Sequence, residues 1–250
     1  MPQNEAASPV QYNNPMSEAS RVRNPHLLIV TATRVAPAQF EANTLLGRSI
    51  RRLAADERLA VNVAADNRSG LPAVYNREIC EANRGKTLLF VHDDVWLDDC
   101  FVYERIQEAL KEFDIVGLAG NTRRVPMQPS WNFVTEKPFT WDERRHLSGV
   151  VAHGSQPGGV LNRYGVPGQP CQLLDGLFLA ARCEVLLDAR VRFDERFTFD
   201  FYDLDFCRSA GAARLRLGTW PIAVTHDSSG KFGSPAWQAG LELYRQKWRD

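Results

Sequence analysis

No apolar run in this 250-residue chain approaches the roughly 18 residues needed to cross a bilayer; the longest are short bursts such as Leu27-Leu28-Ile29-Val30. Any membrane contact would be peripheral. Net charge is missing as well. Lys and Arg total 30 and Asp and Glu total 30, so no global basic field is present to hold nucleic acid or anionic lipid. Partners have to be recognised at local sites. Cys80, Cys100, Cys171, Cys183 and Cys207 are odd in number, widely spaced and without a C-x-x-C pair, which argues against a disulfide framework or a zinc knuckle and fits reduced thiols in a cytoplasmic protein. Residues 1–24, rich in Asn, Pro, Ser and Gln, lack the apolar core of a signal peptide and read as a disordered tail. The remainder, 25–250, has the balance of a folded domain, with 44% hydrophobic and 24% charged residues over the whole chain.

Strand and helix signals alternate along its first half. His26–Thr31 is a compact apolar run, and Leu45, Leu46, Ile50 and Leu53 recur at helical spacing within 39–55. A second apolar run, 59–65, ends in Asp66-Asn67-Arg68-Ser69-Gly70, whose residues favour turns. Pro72 suits the first turn of a helix reaching about Asn83, and Lys86–Val91 is a third strand ending in His92-Asp93-Asp94. Asp98 or Asp99 can cap a helix whose apolar stripe is Phe101, Val102, Ile106 and Leu110, and Phe113–Ala119 is a fourth strand. Such alternation predicts an α/β, Rossmann-like single domain: a mainly parallel sheet flanked by helices, with ligands beyond the strands' carboxyl ends. The segment 120–170 dissolves into Gly, Pro, Trp and Arg without periodicity, and so long a loop is often functional. Beyond it a strand is expected over 171–181, helices near 184–188, 203–212 and 235–248, a strand at 214–220 and an extended piece at 222–225.

Several residues are able to carry chemistry. Asp93 and Asp94 leave a buried strand for a loop, where a divalent cation would relieve their repulsion; a solvated loop is the plainer reading. Asp203 and Asp205 lie near a helix start among aromatics, where one can face a cleft while the other caps; partial desolvation would raise a carboxyl pKa and make a better proton acceptor. His226 precedes Asp227-Ser228-Ser229-Gly230-Lys231, whose hydroxyls and lysine suit phosphate oxygens; a neutral imidazole there can complete a metal shell or simply hydrogen-bond in a loop. Trp131, Trp141, His146 and His153 fall in the irregular segment, where aromatic faces stack on sugar rings or pin the loop to the core. Arg123, Arg124, Arg144 and Arg145 read as a solvated face.

Taken in order, these motifs resemble the inverting, family 2-like glycosyltransferases of the GT-A fold over about 25–248. The matching pieces are Asp66 to Gly70 with Tyr75-Asn76 downstream, the strand-end His92-Asp93-Asp94, Asp175-Gly176, the Phe193-Asp194-Glu195-Arg196-Phe197 turn, Tyr202-Asp203-Leu204-Asp205 with Arg208, and His226 to Gly230. This chain departs from the commonest pattern in having His92 where Asp is usual and Tyr202 where Glu is usual. The resemblance implies a GT-A domain with a nucleotide-sugar half (25–120) and an acceptor half (121–250). It implies transfer of a sugar from a nucleotide-sugar donor, a UDP-sugar foremost, to a hydroxyl of a glycan, lipid-linked or protein acceptor with Mn²⁺ or Mg²⁺. Asp203 would be the general base; Asp94 and His226 would hold the metal; Thr31, Asp66, Asn67, Arg68, Asn76, Asp93, Ser229 and Lys231 would contact the donor; and Asp175, Gly176 and Trp131 would face the acceptor. A binding module that has lost turnover, and a metal-dependent hydrolase using Asp93, Asp94 and His226, are the other readings of the same residues.

Overall fold

The computed structural model describes residues 26–227, 230 and 232–249. The N-terminal tail, Ser229 and Lys231 lie outside the described residues. Strand β1 (Leu27–Ala32) is buried along its whole length, as its near-continuous apolar sequence, broken only by Thr31, suits a strand covered on both faces. It pairs in parallel with β2 (Leu59–Ala64) on one side and β3 (Thr87–Val91) on the other. The helical segment between β1 and β2 is broken into α1 (Phe40–Asn43) and α2 (Leu45–Arg52) by Thr44, whose hydroxyl donates to the Phe40 carbonyl at 2.8 Å and accepts from the Gly47 N–H at 2.9 Å. A Cβ on Gly47 would sit 2.2 Å from the Phe40 oxygen, so only glycine admits this sharp joint. Helix α3 (Leu71–Glu78) carries proline in its first turn, as expected.

After β3 the chain forms β4 (Val95–Leu97), α4 (Val102–Glu112), β5 (Ile115–Gly117) and β6 (Ala119–Asn121). The stretch expected to be irregular holds a hairpin, β7 (Phe133–Glu136) and β8 (Phe139–Trp141), followed by β9 (Leu147–His153) and β10 (Val160–Arg163). The single strand expected over 171–181 is three: β11 (Pro170–Cys171), β12 (Leu173–Leu174) and β13 (Phe178–Arg182). Then follow α5 (Cys183–Asp188), α6 (Tyr202–Ala212), β14 (Leu217–Thr219), β15 (Val224–His226) and α7 (Pro235–Trp248).

The expectation of a mainly parallel sheet is corrected: the fold is mixed α/β. The larger sheet has the order β11-β14-β5-β13-β3-β1-β2. Its β1–β2, β1–β3 and β14–β5 pairs are parallel, but β13 runs antiparallel to both β3 and β5, and β11 antiparallel to β14. The reason lies in the connection, because β13 is reached through the long strand-bearing excursion after β6 rather than by a helical crossover. Strands β9, β10 and β12 of that excursion join β4, β6 and β15 in a second sheet, β12-β6-β9-β15-β4 with β10 on β9, in which only β15 and β9 are parallel. The chain steps from the first sheet to the second between β3 and β4, β5 and β6, β11 and β12, and β14 and β15, and returns between β4 and β5, β10 and β11, and β12 and β13. The seam between the sheets is therefore lined by the residues at these steps.

A buried aromatic group ties the seam to the helices. Tyr75 of α3, Phe90 of β3, Phe193, and Tyr202 and Phe206 of α6 are all buried, with the Phe193 and Phe206 rings stacked at 4.0 Å. At about 1.5–3 kcal/mol per fully buried large side chain, this group is a main support of the seam. Among the described residues no helix is long and apolar enough to cross a membrane.

Candidate functional site

The step from β3 to β4 turns on His92-Asp93-Asp94, and the antiparallel register of β15 with β4 sets His226 opposite Val95, beside that turn. One donor atom each from His92, Asp94 and His226 lies within 4.8 Å of the others. The hydrogen bonds around His92 define its tautomer. The Tyr202 hydroxyl donates to the Gly176 carbonyl at 2.8 Å and therefore accepts from His92 Nε2 at 2.8 Å. The proton is then on Nε2, and the Nδ1 lone pair faces Asp94 Oδ1 at 4.0 Å. His226 Nε2 lies 3.3 Å from the same oxygen, yet both atoms are buried without a well-formed hydrogen bond. Buried polar atoms are rarely left so. Two nitrogens and a carboxylate oxygen converging in this way fit a divalent cation, whose charge would satisfy all three.

The titration behaviour agrees with this crowding. Burial pushes the His92 pKa down, with Asp94 only partly opposing it. Burial acts the same way on His226, but the Asp94 carboxylate beside it outweighs that and leaves the imidazole above its usual value. Asp94 is pushed up by burial and drawn back further by the two imidazoles, ending below the ordinary carboxylate range. The neighbouring Asp93 is turned to the Thr33 hydroxyl rather than to this cluster, and burial raises its pKa.

Asp203 opens α6 on the far side of Tyr202. Its two oxygens accept from the Gly176 N–H at 3.0 Å and the Leu204 N–H at 2.9 Å. Burial, reinforced by the nearby Asp175 carboxylate, pushes its pKa to about 7. Asp175 in turn accepts from the Trp131 indole N–H at 2.9 Å and the Leu177 N–H at 3.1 Å. A Cβ on Gly176 would meet the Tyr202 oxygen at 2.4 Å and the Asp203 Cβ at 2.8 Å, so glycine is what lets these groups close together. One residue, Gly176, thus carries both connections through the peptide groups on its two sides: its carbonyl reaches Tyr202 and thence His92, and its N–H holds Asp203.

The structure sorts the other expected site residues. Asp66, at positive φ (49°), and Arg68 are exposed on the loop after β2, which is fastened to the end of β1 by Asp66 N–H to Val35 O (3.1 Å) and Asn67 N–H to Thr33 O (2.9 Å). Thr31 is wholly buried with an unpartnered hydroxyl. Asn76 has a different job from the one expected: its amide accepts from Phe193 N–H and donates to Phe193 O and Glu195, so it clamps the Phe-Asp-Glu turn onto α3. Trp131 is buried with its edge against Tyr164, so its ring offers no open stacking face; Trp141, 51% exposed and stacked on Tyr164 at 6.1 Å, does. Asp205 is fully buried against Lys247 Nζ at 2.7 Å and Trp248 Nε1 at 2.9 Å, and Arg208 lies over the Trp248 ring, so both secure α7. Arg123, though partly exposed, is not free in solvent: it pairs bidentately with the buried Asp142.

Residue-level reading missed the role of Tyr202, which stands where an acid was expected and instead bridges His92 to Gly176. Phe199, exposed yet stacked on His92 at 5.6 Å, and the His153–Tyr164 contact at 3.1 Å beside His226 were missed as well. Only the aromatic density of 199–202 hinted at the first two.

No family model and no curated protein matches this sequence. Among solved structures the chain is similar to A197 from STIV, at 10% identity over 82% of this chain and 86% of that one, with a TM-score of 0.42. It is also similar to S. aureus TarS 1–349 in complex with UDP, at 13% identity over 81% of this chain and 60% of that one, TM-score 0.39. A third similarity is to the mannosyltransferase PcManGT from Pyrobaculum calidifontis in complex with GDP-Man and Mn²⁺, at 14% identity over 90% of this chain and 65% of that one, TM-score 0.45. The chain thus spans less than two thirds of the length of the latter two.

Proposed function

We propose that this protein is a metal-dependent inverting glycosyltransferase that moves a sugar from a nucleotide-sugar donor to an acceptor hydroxyl. The observation that carries the reading is the meeting, through the single residue Gly176, of a His-Asp-His cluster with unsatisfied donor atoms and a carboxyl group whose pKa is pushed up to about 7. The order of the sequence motifs supports the same reading.

His92, Asp94 and His226 would hold the cation, and two imidazoles favour Mn²⁺ over Mg²⁺, which takes oxygen ligands. When bound, the cation supplies Lewis-acid charge that stabilises the departing nucleoside diphosphate. The chain's own residues do the rest. Asp93, beside Thr33 and the Asp66 loop, is set to orient the donor's nucleoside. Asp203 has lone pairs left after its two backbone contacts and takes the proton of the attacking hydroxyl. A base poised near neutrality combines a large ionised fraction with useful basicity. Asp175 keeps it there and is itself positioned by Trp131. Attack from the face opposite the leaving group inverts the anomeric centre.

The test is a panel of UDP- and GDP-sugars with Mn²⁺ and a set of acceptors. Asp203→Asn should cut transfer at least 10³-fold while nucleotide affinity stays within threefold, and Asp94→Asn should lose both. Turnover retained in Asp203→Asn would remove this residue from the role of base. Product release without any acceptor would mark a hydrolase instead.

A further inference from the structure

A cavity of about 410 Å³ is lined by Arg48, Arg51, Arg52, Trp96, Gln156 and Pro157. The three arginines stand at i, i+3 and i+4 on α2, the spacing that brings side chains onto one helical face. Like charges so placed repel one another, and among the described residues none of the three is ion-paired to a carboxylate. The carboxylate of Asp98, just past β4, is engaged elsewhere: it accepts from the Thr225 hydroxyl at 2.7 Å and from the Gly158 N–H at 3.2 Å. Two of the guanidinium groups are held in place. Arg52 donates to the Leu97 and Asp98 carbonyls at 2.7 and 2.9 Å and lies 5.9 Å from the Trp96 ring centroid, and Arg48 Nε donates to the Thr44 carbonyl at 3.3 Å.

The cavity is separate from the His92–Asp94–His226 cluster. In the β15–β4 pairing Thr225 stands opposite Trp96 and His226 opposite Val95. Adjacent residues of a strand project to opposite faces, so Trp96 and the arginines lie behind the strand pair that carries His226 on its other face. A divalent cation at the cluster and an anion here would not compete for space.

We propose that this cavity is a binding site for a phosphate ester. Three guanidinium groups offer forked donors that match phosphate oxygens and no acceptor that would compete. A phosphate would relieve their mutual repulsion. The volume exceeds what one phosphate fills, and the Trp96 face gives an apolar contact for the body that carries it. The ester is either a soluble sugar phosphate or a phospholipid headgroup, which share the same recognition chemistry.

The experiment uses the full chain in chelator at constant ionic strength, with inorganic phosphate and glucose 6-phosphate as soluble probes in calorimetry and phosphatidylglycerol against phosphatidylcholine vesicles in co-sedimentation. Binding is expected in the millimolar range or tighter, with the sugar phosphate ahead of inorganic phosphate if the source is soluble, or on phosphatidylglycerol vesicles alone if it is a headgroup. Arg48→Gln combined with Arg51→Gln should weaken either at least tenfold. Should that pair fail to fold, Arg51→Gln alone, at an exposed position, should still weaken it several-fold. Asp94→Asn should leave it unchanged, which separates this site from the cation cluster. No binding of any probe, binding indifferent to the arginine substitutions, or binding abolished by Asp94→Asn would overturn the proposal.

Discussion

At the scale of single residues, Asp203 joins the proposed chemistry to a measurable pH dependence. Its carboxyl must be ionised to accept a proton, so transfer should rise with pH through an acidic limb near 7 and level off above it. Asp175→Asn removes a neighbouring negative charge that raises this value, and should move the limb to lower pH. Stability runs the other way. Because the folded-state pKa lies above the unfolded value of 3.8, the native state binds the extra proton, and stability falls as pH rises from about 4 to about 7. Asp203→Asn should flatten that decline; thermal melts at pH 5 and pH 8, in the presence of chelator, would read the difference. A limb unmoved by Asp175→Asn would disconnect the two carboxylates.

Tyr202 supplies a second prediction at the same scale. Tyr202→Phe leaves the Gly176 carbonyl and the His92 Nε2–H without the hydroxyl that joins them, which should cost about 1–3 kcal/mol of stability. Freed from that partner, His92 loses its defined tautomer, and Mn²⁺ affinity should fall about 10- to 100-fold. Isothermal titration with Mn²⁺ checks this. The hydroxyl's position was hidden from the sequence because Tyr202 occupies a place where an acid was expected, and aromatic residues near a helix start are ordinarily core. Asn76 erred in the opposite direction. A Tyr-Asn pair looks the same whether its amide reaches a ligand or, as here, a turn 117 residues away.

At the scale of elements, what was legible follows burial. The runs that became β1 and β3 are largely apolar segments buried along their length, and α4 buries Val102, Ile106 and Leu110 of the expected stripe, while Phe101 precedes the helix and is exposed. The second sheet left no such trace. Strand β10 is exposed along its length, β12 has two residues, β4, β6 and β15 have three each, and Gly149 bends β9 at φ 105° against the Leu118 carbonyl. None of these gives a period long enough to read. The anchoring of α7 is likewise a tertiary matter, and it is asymmetric. Asp205 is fully buried, whereas Lys247 is partly exposed and also reaches Asp194 at 2.8 Å. Lys247→Ala strands a buried carboxylate and should cost about 2–3 kcal/mol, while Asp205→Ala leaves a lysine with another partner and should cost about half as much. Chemical denaturation of the two variants at pH 8 would show whether the order holds.

At the scale of the whole molecule, the cluster is a joint between two sheets. His92 and Asp94 come from the turn where β3 of the larger sheet passes into β4, and His226 ends β15 of the smaller one. This placement was half legible: strand ends in α/β proteins are where ligands gather, but nothing in the sequence said that the turn and His226 belong to two sheets meeting at a seam. The consequence is mechanical as well as chemical. A cation bound only by the folded chain stabilises it by mass action, about 2.7 kcal/mol at a hundredfold excess over Kd. Because its ligands span the seam, that gain should register as slower amide exchange in β4, β15 and the turn at 92–94, with β1 and β2 little changed. Hydrogen exchange with and without saturating Mn²⁺ distinguishes this from uniform stabilisation. Asp94→Asn should lose both the thermal shift and the local protection, since it removes the negative charge that both imidazoles face. Protection spread evenly over the chain, or persisting in that variant, would place the cation elsewhere.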